Sequence, residues 1–322
     1  MSEVAKITPT SKVEKLSAEK LRSDKPVTLW GTARRRLFRR KSAILGIVIL
    51  SILVFIAISA PLLAPYDPLQ VLIGVEDVKA RQAPCIHFLG CPEDQLEHLM
   101  GIDGNVRDEY SRVIYGARLS LIIGFTTVTF AILIGTILGA LAGYLGGRVD
   151  NVLMRFMDVL LAFPSLLLAI AIVTVLGPGL INALLAIGIV SIPAYARVTR
   201  SAILTTREMD FVAASRALGG STWYILFGRI LPNSLTPLIV MGTLGIATAI
   251  LDAAALSFLG LGAQPPTPEW GSMLSAERNQ VFTAPYLVFY PGLFIMLVVL
   301  SFNLLGDGLR DALDPRLAMK SK

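Results

Sequence analysis

The sequence predicts an all-α polytopic membrane protein with six transmembrane helices. Hydrophobic residues make up 54% of the 322 residues and charged residues only 16%, and the mean hydropathy is +0.67. Soluble domains carry about 25% charged residues. Uncharged stretches of the chain also reach the roughly 20 residues that a helix needs to cross the hydrocarbon core. With two cysteines and no leader-like segment, we expect neither a secreted nor a disulfide-rich protein, and the apolar content excludes a disordered one.

Residues 1–41 are expected to form a cytoplasmic tail that ends in a basic helix at the membrane surface. The first 30 residues are polar and lack an apolar period, which is typical of a mobile tail. Trp30, Leu37 and Phe38 then stand among six Lys and Arg residues between 34 and 41. This mixture suits a helix in the headgroup layer, with the lipid bilayer as its partner. We therefore expect no nucleic-acid ligand.

The uncharged stretches place the helices and divide the chain. The first transmembrane helix is expected at 42–64, followed by an extracytoplasmic loop at 65–118. Residues 119–306 form the predicted core with five further transmembrane helices, and 307–322 form a cytoplasmic C-terminal tail. Gly177-Pro178-Gly179 interrupts a long uncharged stretch and divides it into two helices. The five core helices are expected at 119–147, 152–176, 180–198, 232–262 and 286–305.

The distribution of charge predicts the orientation. Taken together, the segments 1–41, 147–158, 197–231 and 303–322 hold more Lys and Arg than Asp and Glu, although 147–158 by itself is balanced, whereas acidic residues are in excess in 65–118 and 259–285. Basic loops remain on the cytoplasmic side. Both termini are therefore expected to be cytoplasmic, in the cell membrane.

The chain lacks the groups that would power transport. It contains no Gly-Lys dipeptide and hence no nucleotide-binding loop of the G-x-x-x-x-G-K-[ST] type. Only Asp252 is ionisable deep within a predicted span, whereas ion-coupled carriers place several such groups along their path. We therefore expect no catalytic residue, cofactor or metal in this chain. We expect a passive conduit for which another protein supplies the energy.

The cytoplasmic segment 199–231 is where that energy could enter. Asp210–Leu218 is predicted to form a short helix with small residues on one face, and Gly219 suits a helix C-cap. A small-residue face allows a partner surface to approach closely, although a solvated linker is the alternative.

This segment resembles the EAA loop of ABC importer permeases, with the pattern E-A-A-x3-G followed by Leu-Pro. Ala214, Gly219, Leu231 and Pro232 match the pattern, while Ala213 stands at its Glu position. The resemblance implies an ATPase-coupling loop made of Asp210, Ala213, Ala214, Ser215, Arg216, Ala217, Leu218, Gly219, Ser221, Leu231 and Pro232.

Further stretches resemble the C-type permease subunit of dipeptide/oligopeptide-type ABC importers. They are Leu-Ser-Phe-Leu-Gly-Leu-Gly at 256–262 with Gln-Pro-Pro at 264–266 and Trp-Gly-Ser-Met-Leu at 270–274, and Phe-Asn-Leu-Leu-Gly-Asp-Gly-Leu-Arg-Asp at 302–311. Gly101, Asp103, Arg107 and Asp108 keep part of the family's GTD-x2-GRD element. The resemblance covers about residues 28–318.

The resemblance implies a MetI-like ABC importer permease fold and a translocation path for dipeptides or oligopeptides. It also implies four kinds of partner: a homologous B-type permease, two cytoplasmic ABC ATPases, an extracytoplasmic solute-binding protein and the peptide substrate. Two alternatives remain. The same scaffold could import nickel or another small solute, and a chain of this hydropathy could be an energy-independent channel or carrier.

The predicted extracytoplasmic loop holds every Cys and His of the chain: Cys85, His87, Cys91 and His98. A Cys85–Cys91 disulfide suits an oxidising exterior. Unpaired residues in an exposed insertion, or a metal site of uncommon spacing, are the alternatives.

Three features of the predicted spans remain. Asp252 is expected to line the conduit or contact another subunit, with an ion pair inside the chain as the alternative. Phe163-Pro164 is expected to kink a helix and shape a gate. The Gly135-x3-Gly139-x3-Gly143 ridge suits close helix packing, either within the chain or against a subunit.

Overall fold

A computed structural model describes residues 29–313 of the chain. Within this range the protein is helical, and its only β-structure consists of isolated bridges. The predicted all-α class is confirmed. The helices in chain order are α1 (Leu29–Leu37), α2 (Lys41–Leu63), α3 (Glu109–Leu145), α4 (Gly147–Leu161), α5 (Ser165–Leu176), α6 (Leu180–Thr206), α7 (Asp210–Ala217), α8 (Thr222–Ile225), α9 (Leu231–Asn233), α10 (Thr236–Phe258), α11 (Trp270–Glu277) and α12 (Tyr286–Leu313).

Five helices, α2, α3, α6, α10 and α12, are long and apolar enough to cross a membrane. Several extend beyond the uncharged stretches that predicted them. Helix α3 begins at Glu109 rather than 119, because the Asp108 carboxylate accepts a hydrogen bond of 2.7 Å from the Ser111 amide and caps the helix. Hydropathy marks the apolar part of such a helix, whereas capping determines where the helix begins.

The helix predicted at 152–176 is interrupted at Phe163-Pro164, where the sequence predicts a kink. The chain instead forms α4 and α5, which meet at an angle of 91° around Phe163-Pro164. Proline lacks an amide hydrogen and disfavours helical geometry at the preceding residue. Two ion pairs, Asp150–Arg200 and Asp158–Arg197, also hold α4 against α6. Residues 29–313 therefore contain five helices long and apolar enough to cross a membrane, or six spans if the bent pair counts as one.

The glycine ridge of α3 packs within the chain, against α6. A Cβ atom at Gly135 would lie 2.7 Å from the Tyr195 Cβ, and one at Gly143 would lie 2.9 Å from the Arg200 carbonyl oxygen. A Cβ atom at Gly139 would likewise lie too close to Ala196 and Thr199. The absent side chains allow the two backbones to approach, as is typical of helix pairs in membranes. The ridge is thus part of the core, and the alternative of a subunit contact does not apply to it.

Helix α11 closes the bundle at the end where α3 begins. The Glu269 carboxylate caps α11 by accepting hydrogen bonds from the amides of Gly271 (3.0 Å) and Ser272 (2.9 Å). The Trp270 side chain is fully buried, and its Nε1 donates a 3.0 Å hydrogen bond to the Val113 carbonyl of α3. The Trp-Gly-Ser-Met-Leu stretch therefore attaches α11 to the start of α3.

At the other end of the bundle, α1 lies against the last turns of α12. A Cβ atom at Gly308 would lie 3.1 Å from the Leu37 Cδ1, and Arg40 forms a 3.2 Å ion pair with Asp311. The predicted basic helix thus exists as α1. Residues 1–28 and 314–322, which include most of both predicted tails, lie outside the described residues.

The substitution Gly139→Ala should destabilise the protein. The added methyl group would overlap the Ala196 backbone and the Thr199 side chain, and overpacking of a core contact costs about 1–3 kcal/mol. We expect a lower melting temperature for the detergent-purified variant. Gly292→Ala is the matched control, because a Cβ there meets no atom within 4 Å. Equal melting temperatures for the two variants would contradict the packing described for α3 and α6.

Candidate functional site

The segment between α6 and α10, residues 207–235, is built around one short helix. We call it the connecting segment. Its helix α7 spans Asp210–Ala217, within one residue of the predicted 210–218. After α7, Gly219 adopts a φ of +80°, and the Gly220 amide donates a 3.0 Å hydrogen bond to the Ser215 carbonyl. This is a left-handed C-cap, a conformation that glycine adopts without a steric penalty.

One side of the connecting segment is exposed and consists of small and apolar residues. Ala213, Ala214 and Ala217 of α7 are exposed, and Leu218 is 88% exposed. Larger apolar side chains extend this surface from both sides: Phe211, Trp223, Tyr224 and Phe227. Exposed apolar patches of this kind mark interaction sites. We call these eight residues the connecting surface.

The other side of the connecting segment is attached to the bundle. Val212 of α7 is fully buried in a small apolar core with Ala140 of α3 and Ile203 of α6, together with Ile225, Leu226 and Ile230. The Arg207 guanidinium donates a 2.9 Å hydrogen bond to the Gly143 carbonyl at the end of α3. The connecting surface therefore cannot move far without displacing the ends of α3 and α6.

The other residues predicted for this loop lie around α7. Asp210, Arg216, Ser221 and Pro232 are exposed, and Ser215 and Leu231 are half-buried. The Ser221 hydroxyl accepts from the Tyr224 amide and caps α8. Leu231 and Pro232 belong to α9, which turns the chain into α10 and is held by a 3.0 Å hydrogen bond between the buried hydroxyls of Ser234 and Thr206.

A cavity of 320 Å³ lies beside α5, α6 and α10. Asp252 lines this cavity, and its place on a conduit stays a prediction. The wall is mainly apolar and carries a few polar groups. Its lining residues are Leu161, Ser165, Ala169, Ile187, Val190, Ser191, Ala194, Tyr195, Met241, Leu244, Gly245, Thr248, Ala249 and Asp252.

A second cavity, of 520 Å³, continues along α10 toward the connecting segment. It shares Met241 and Leu244 with the first cavity and reaches Thr236 at the start of α10 and Arg310 of α12. Phe163 and Pro164 line neither cavity. They form the bend between α4 and α5, next to the lining residues Leu161 and Ser165. We refer to these two neighbouring cavities along α6 and α10 together as the cleft.

At the opposite end of the bundle, residues 65–108 fold over the start of α3. We call them the covering segment. Cys85 and Cys91 form a disulfide with a Cα–Cα distance of 5.4 Å. Cys85 also pairs with His98 through two backbone hydrogen bonds of 3.0 Å. Because their sulfur atoms are bonded to each other, these cysteines are not thiolate ligands for a metal in this structure.

The partly matched GTD-x2-GRD element forms a buried charge network. Asp103 accepts from the Arg107 side chain at 2.8 Å and lies 3.4 Å from the Arg112 guanidinium. Gly101 has a φ of +82°, and a Cβ there would lie 2.6 Å from the Gln82 carbonyl oxygen. Asp108 is the N-cap of α3. The element thus connects the covering segment to the first transmembrane turn that follows it.

The sequence did not predict a role for His98, which is buried at the centre of this contact. Its Nδ1 lies 2.9 Å from an Asp108 carboxylate oxygen, and its Nε2 lies 3.2 Å from a Glu76 carboxylate oxygen. The Tyr66 ring stacks on the imidazole with a centroid distance of 5.5 Å. Glu76 and His98 are 22 positions apart, and no local motif connects them.

Burial lowers the pKa of His98, but the hydrogen bond to Asp108 and the charges of Asp108 and Glu76 outweigh it and raise the pKa above its ordinary value. The imidazolium form is therefore favoured in the folded protein. Burial and the neighbouring Glu76 raise the pKa of Tyr66 to about 12, so the stacked phenol stays neutral near pH 8.

The covering segment should therefore open more easily as the pH rises. A raised histidine pKa stabilises the fold below about pH 6.5, the ordinary value, and this contribution disappears as the pH rises through the raised pKa. We expect amide hydrogen exchange between 85 and 108, corrected for intrinsic rates, to accelerate from pH 6 to pH 9. His98→Gln should remove this dependence. His87→Gln is the control, because His87 is exposed, and should keep it. The same profile in all three proteins would contradict the role of His98.

Family models match most of the chain. Residues 135–319 match the family described as binding-protein-dependent transport system inner membrane component. Residues 28–84 match the family described as N-terminal TM domain of oligopeptide transport permease C. The first match covers the connecting segment, both cavities and all helices from the middle of α3 onward.

Curated relatives extend the match over nearly the full length. The chain is 49% identical to the dipeptide transport system permease protein DppC of Alkalihalophilus pseudofirmus, over 90% of this chain and 91% of the relative. It is 50% identical to the di/tripeptide transport system permease protein DppC of Pseudomonas aeruginosa, over 86% and 89%. It is 42% identical to the glutathione transport system permease protein GsiD of Pectobacterium atrosepticum, over 91% and 94%.

Solved structures support the fold. The chain resembles a chain of the MetNI methionine ABC transporter in an inward-facing conformation, with a TM-score of 0.51 and 20% identity, over 62% of this chain and 96% of that chain. The predicted resemblance to importer permeases is confirmed. This chain belongs to the binding-protein-dependent transport system inner membrane components, the multi-pass permease subunits of ABC transporters.

Proposed function

We propose that the chain forms half of the translocation path of a peptide importer that is powered by ATPases in separate subunits. The names of its relatives support this: two are permeases for dipeptides or di- and tripeptides, and one for glutathione. Peptide import is thus the common element of proteins that are 42–50% identical to this chain.

The connecting surface is the proposed docking site for one cytoplasmic ATPase. It combines exposed alanines, which allow close approach, with the aromatic side chains that commonly anchor interfaces. Ala213 replaces the glutamate of the family pattern, so the contact depends on shape and on Arg216 rather than on a carboxylate. Because Val212 and Arg207 attach the segment to α3 and α6, a displacement of the docked ATPase would reach the helices that line the cavities.

The proposed positions of the remaining partners are based on the cleft and on the two ends of the bundle. A homologous B-type permease would face the cleft along α6 and α10 and complete the path, and a second ATPase would dock on that permease. A solute-binding protein would deliver peptide on the side of the covering segment. This assignment places both termini and the connecting segment in the cytoplasm, in agreement with the excess of Lys and Arg there.

The two alternative functions would require different features of the chain. Within residues 29–313 no group of three or more His, Cys, Asp and Glu side chains could hold a metal ion, which gives the nickel alternative no support in this subunit. An energy-independent channel or carrier would not need the connecting surface. Dependence of uptake on ATP and on the partner subunits therefore distinguishes the proposal from the second alternative.

Ala214→Trp should uncouple the importer without unfolding the chain. Ala214 is exposed, so a large side chain fits the free protein but separates it from a docked surface. We expect normal membrane insertion, at least a tenfold loss of peptide uptake, and weaker recovery of ATPase subunits in a pull-down. Ala214→Ser keeps the small volume and should retain both activities. Gly219→Trp should also lose peptide uptake, but the positive φ at this position adds about 1 kcal/mol of backbone strain to that variant. Full uptake by Ala214→Trp would exclude the connecting surface as the coupling element.

The orientation can be tested by labelling intact cells with an impermeant maleimide. Phe282 is 99% exposed near the covering segment, and Leu218 is 88% exposed on the connecting surface. We expect Phe282→Cys to react from outside and Leu218→Cys to react only after permeabilisation. Cys85 and Cys91 are disulfide-bonded and give no background. The reverse labelling pattern would overturn the assigned orientation.

A further inference from the structure

We propose that Asp252 binds the α-ammonium group of the transported peptide in the cavity that Tyr195 also lines. This inference rests on the proposed function and specifies which part of the substrate this chain recognises. The site lies in the 320 Å³ cavity, which is lined by both residues. Small-molecule sites are commonly about 300–1,000 Å³, mostly apolar, with a few polar groups that fix the orientation of the ligand.

Asp252 has no counterion within residues 29–313. It forms no ion pair or hydrogen bond there, although most of its surface is covered. The two arginines of α6 that could approach from the cavity wall are engaged elsewhere, since Arg197 pairs with Asp158 and Arg200 with Asp150. A carboxylate inside a membrane bundle is costly unless it meets a cation or water. Its position on the cavity wall leaves two sources for that cation, the transported solute or the permease proposed to face the cleft, and the binding competition described below separates them.

Arg310 does not supply this charge. It lines the adjoining cavity beside Thr236 and Pro237, at the opposite end of α10. Asp252 is about four turns farther along that helix, or about 24 Å at 1.5 Å per residue. The cavity around Asp252 therefore presents a single unpaired negative charge.

Tyr195 provides a second polar group at a fixed position. Its side chain is 3% exposed and lines the same cavity. Its hydroxyl lies directly against Gly245, where a Cβ atom would overlap the hydroxyl oxygen. Gly245 thus makes room for the hydroxyl beside α10, on the helix that carries Asp252. Gly245 and Asp252 are seven residues apart on α10, or about 10 Å. Among the described residues the hydroxyl forms no hydrogen bond, so it is available to a part of the peptide other than the ammonium group that Asp252 binds.

These groups suit a primary ammonium attached to a small, largely neutral body. The carboxylate supplies charge, the hydroxyl oxygen supplies an acceptor, and the apolar wall accommodates side chains. A divalent metal is a poor match, because it requires several ligands and the cavity lining offers one carboxylate. An anionic solute without an ammonium group would be repelled. Dipeptides and tripeptides carry the required group at the N-terminus.

The test compares uptake of radiolabelled alanyl-alanine by the complete importer in proteoliposomes, with the binding protein saturated. We expect Asp252→Asn to lower the turnover of uptake about tenfold, which corresponds to about 1.4 kcal/mol. Asp252→Glu keeps the charge and should recover most of the turnover. An unchanged melting temperature of Asp252→Asn would show that the variant is folded.

A second measurement separates recognition from a structural role. Scintillation-proximity binding of alanyl-alanine to the complex without binding protein is competed with unlabelled alanyl-alanine or its N-acetyl derivative. The wild type should prefer the free amine at least tenfold, and Asp252→Asn should bind both equally. Equal turnover in Asp252→Asn and the wild type, an unchanged preference, or no saturable binding to the wild type would overturn the inference. Absence of ATP-driven alanyl-alanine uptake by the wild type would instead refute the proposed peptide import.

Discussion

The close contact between α3 and α6 is the constraint on which the other parts of the molecule depend. Gly135, Gly139 and Gly143 bring the two backbones together, so that van der Waals contact replaces the hydrophobic driving force that is missing within a membrane. Helix α6 also lines the cavity, through residues that include Tyr195 next to Gly135, and the connecting segment begins after its last turn. A displaced α6 would therefore alter both.

Both ends of α3 are attached to a surface that a partner can reach. Asp108 caps its start and contacts His98 of the covering segment, and Gly143 near its end accepts the Arg207 hydrogen bond from the connecting segment. The helix between them has 37 residues and is about 55 Å long. One continuous helix thus joins the two contacts. This arrangement gives a physical route by which events at one surface can affect the other.

Several charged groups of the described residues form ion pairs with each other. Asp150 and Asp158 of α4 meet arginines of α6, and the buried acids of the covering segment meet Arg107, Arg112 and His98. Asp252 is different, because its neighbours in the cavity are neutral. An unpaired acid on the wall of a cavity within the membrane is where a substrate or a partner is expected to act.

The sequence by itself determined the membrane class, most of the helices, the short helix of the connecting segment and the family, because these depend on local apolar runs, glycine caps and long motifs. Only the tertiary structure decided which surfaces meet. It showed that the glycine ridge faces α6, that the kink predicted at Phe163-Pro164 reaches 91°, and that His98 joins Glu76 to Asp108. Those outcomes depend on ion pairs and contacts between residues distant in the chain. A linear pattern of apolar and polar residues does not specify such pairings, because many different helix faces would satisfy the same local periodicity.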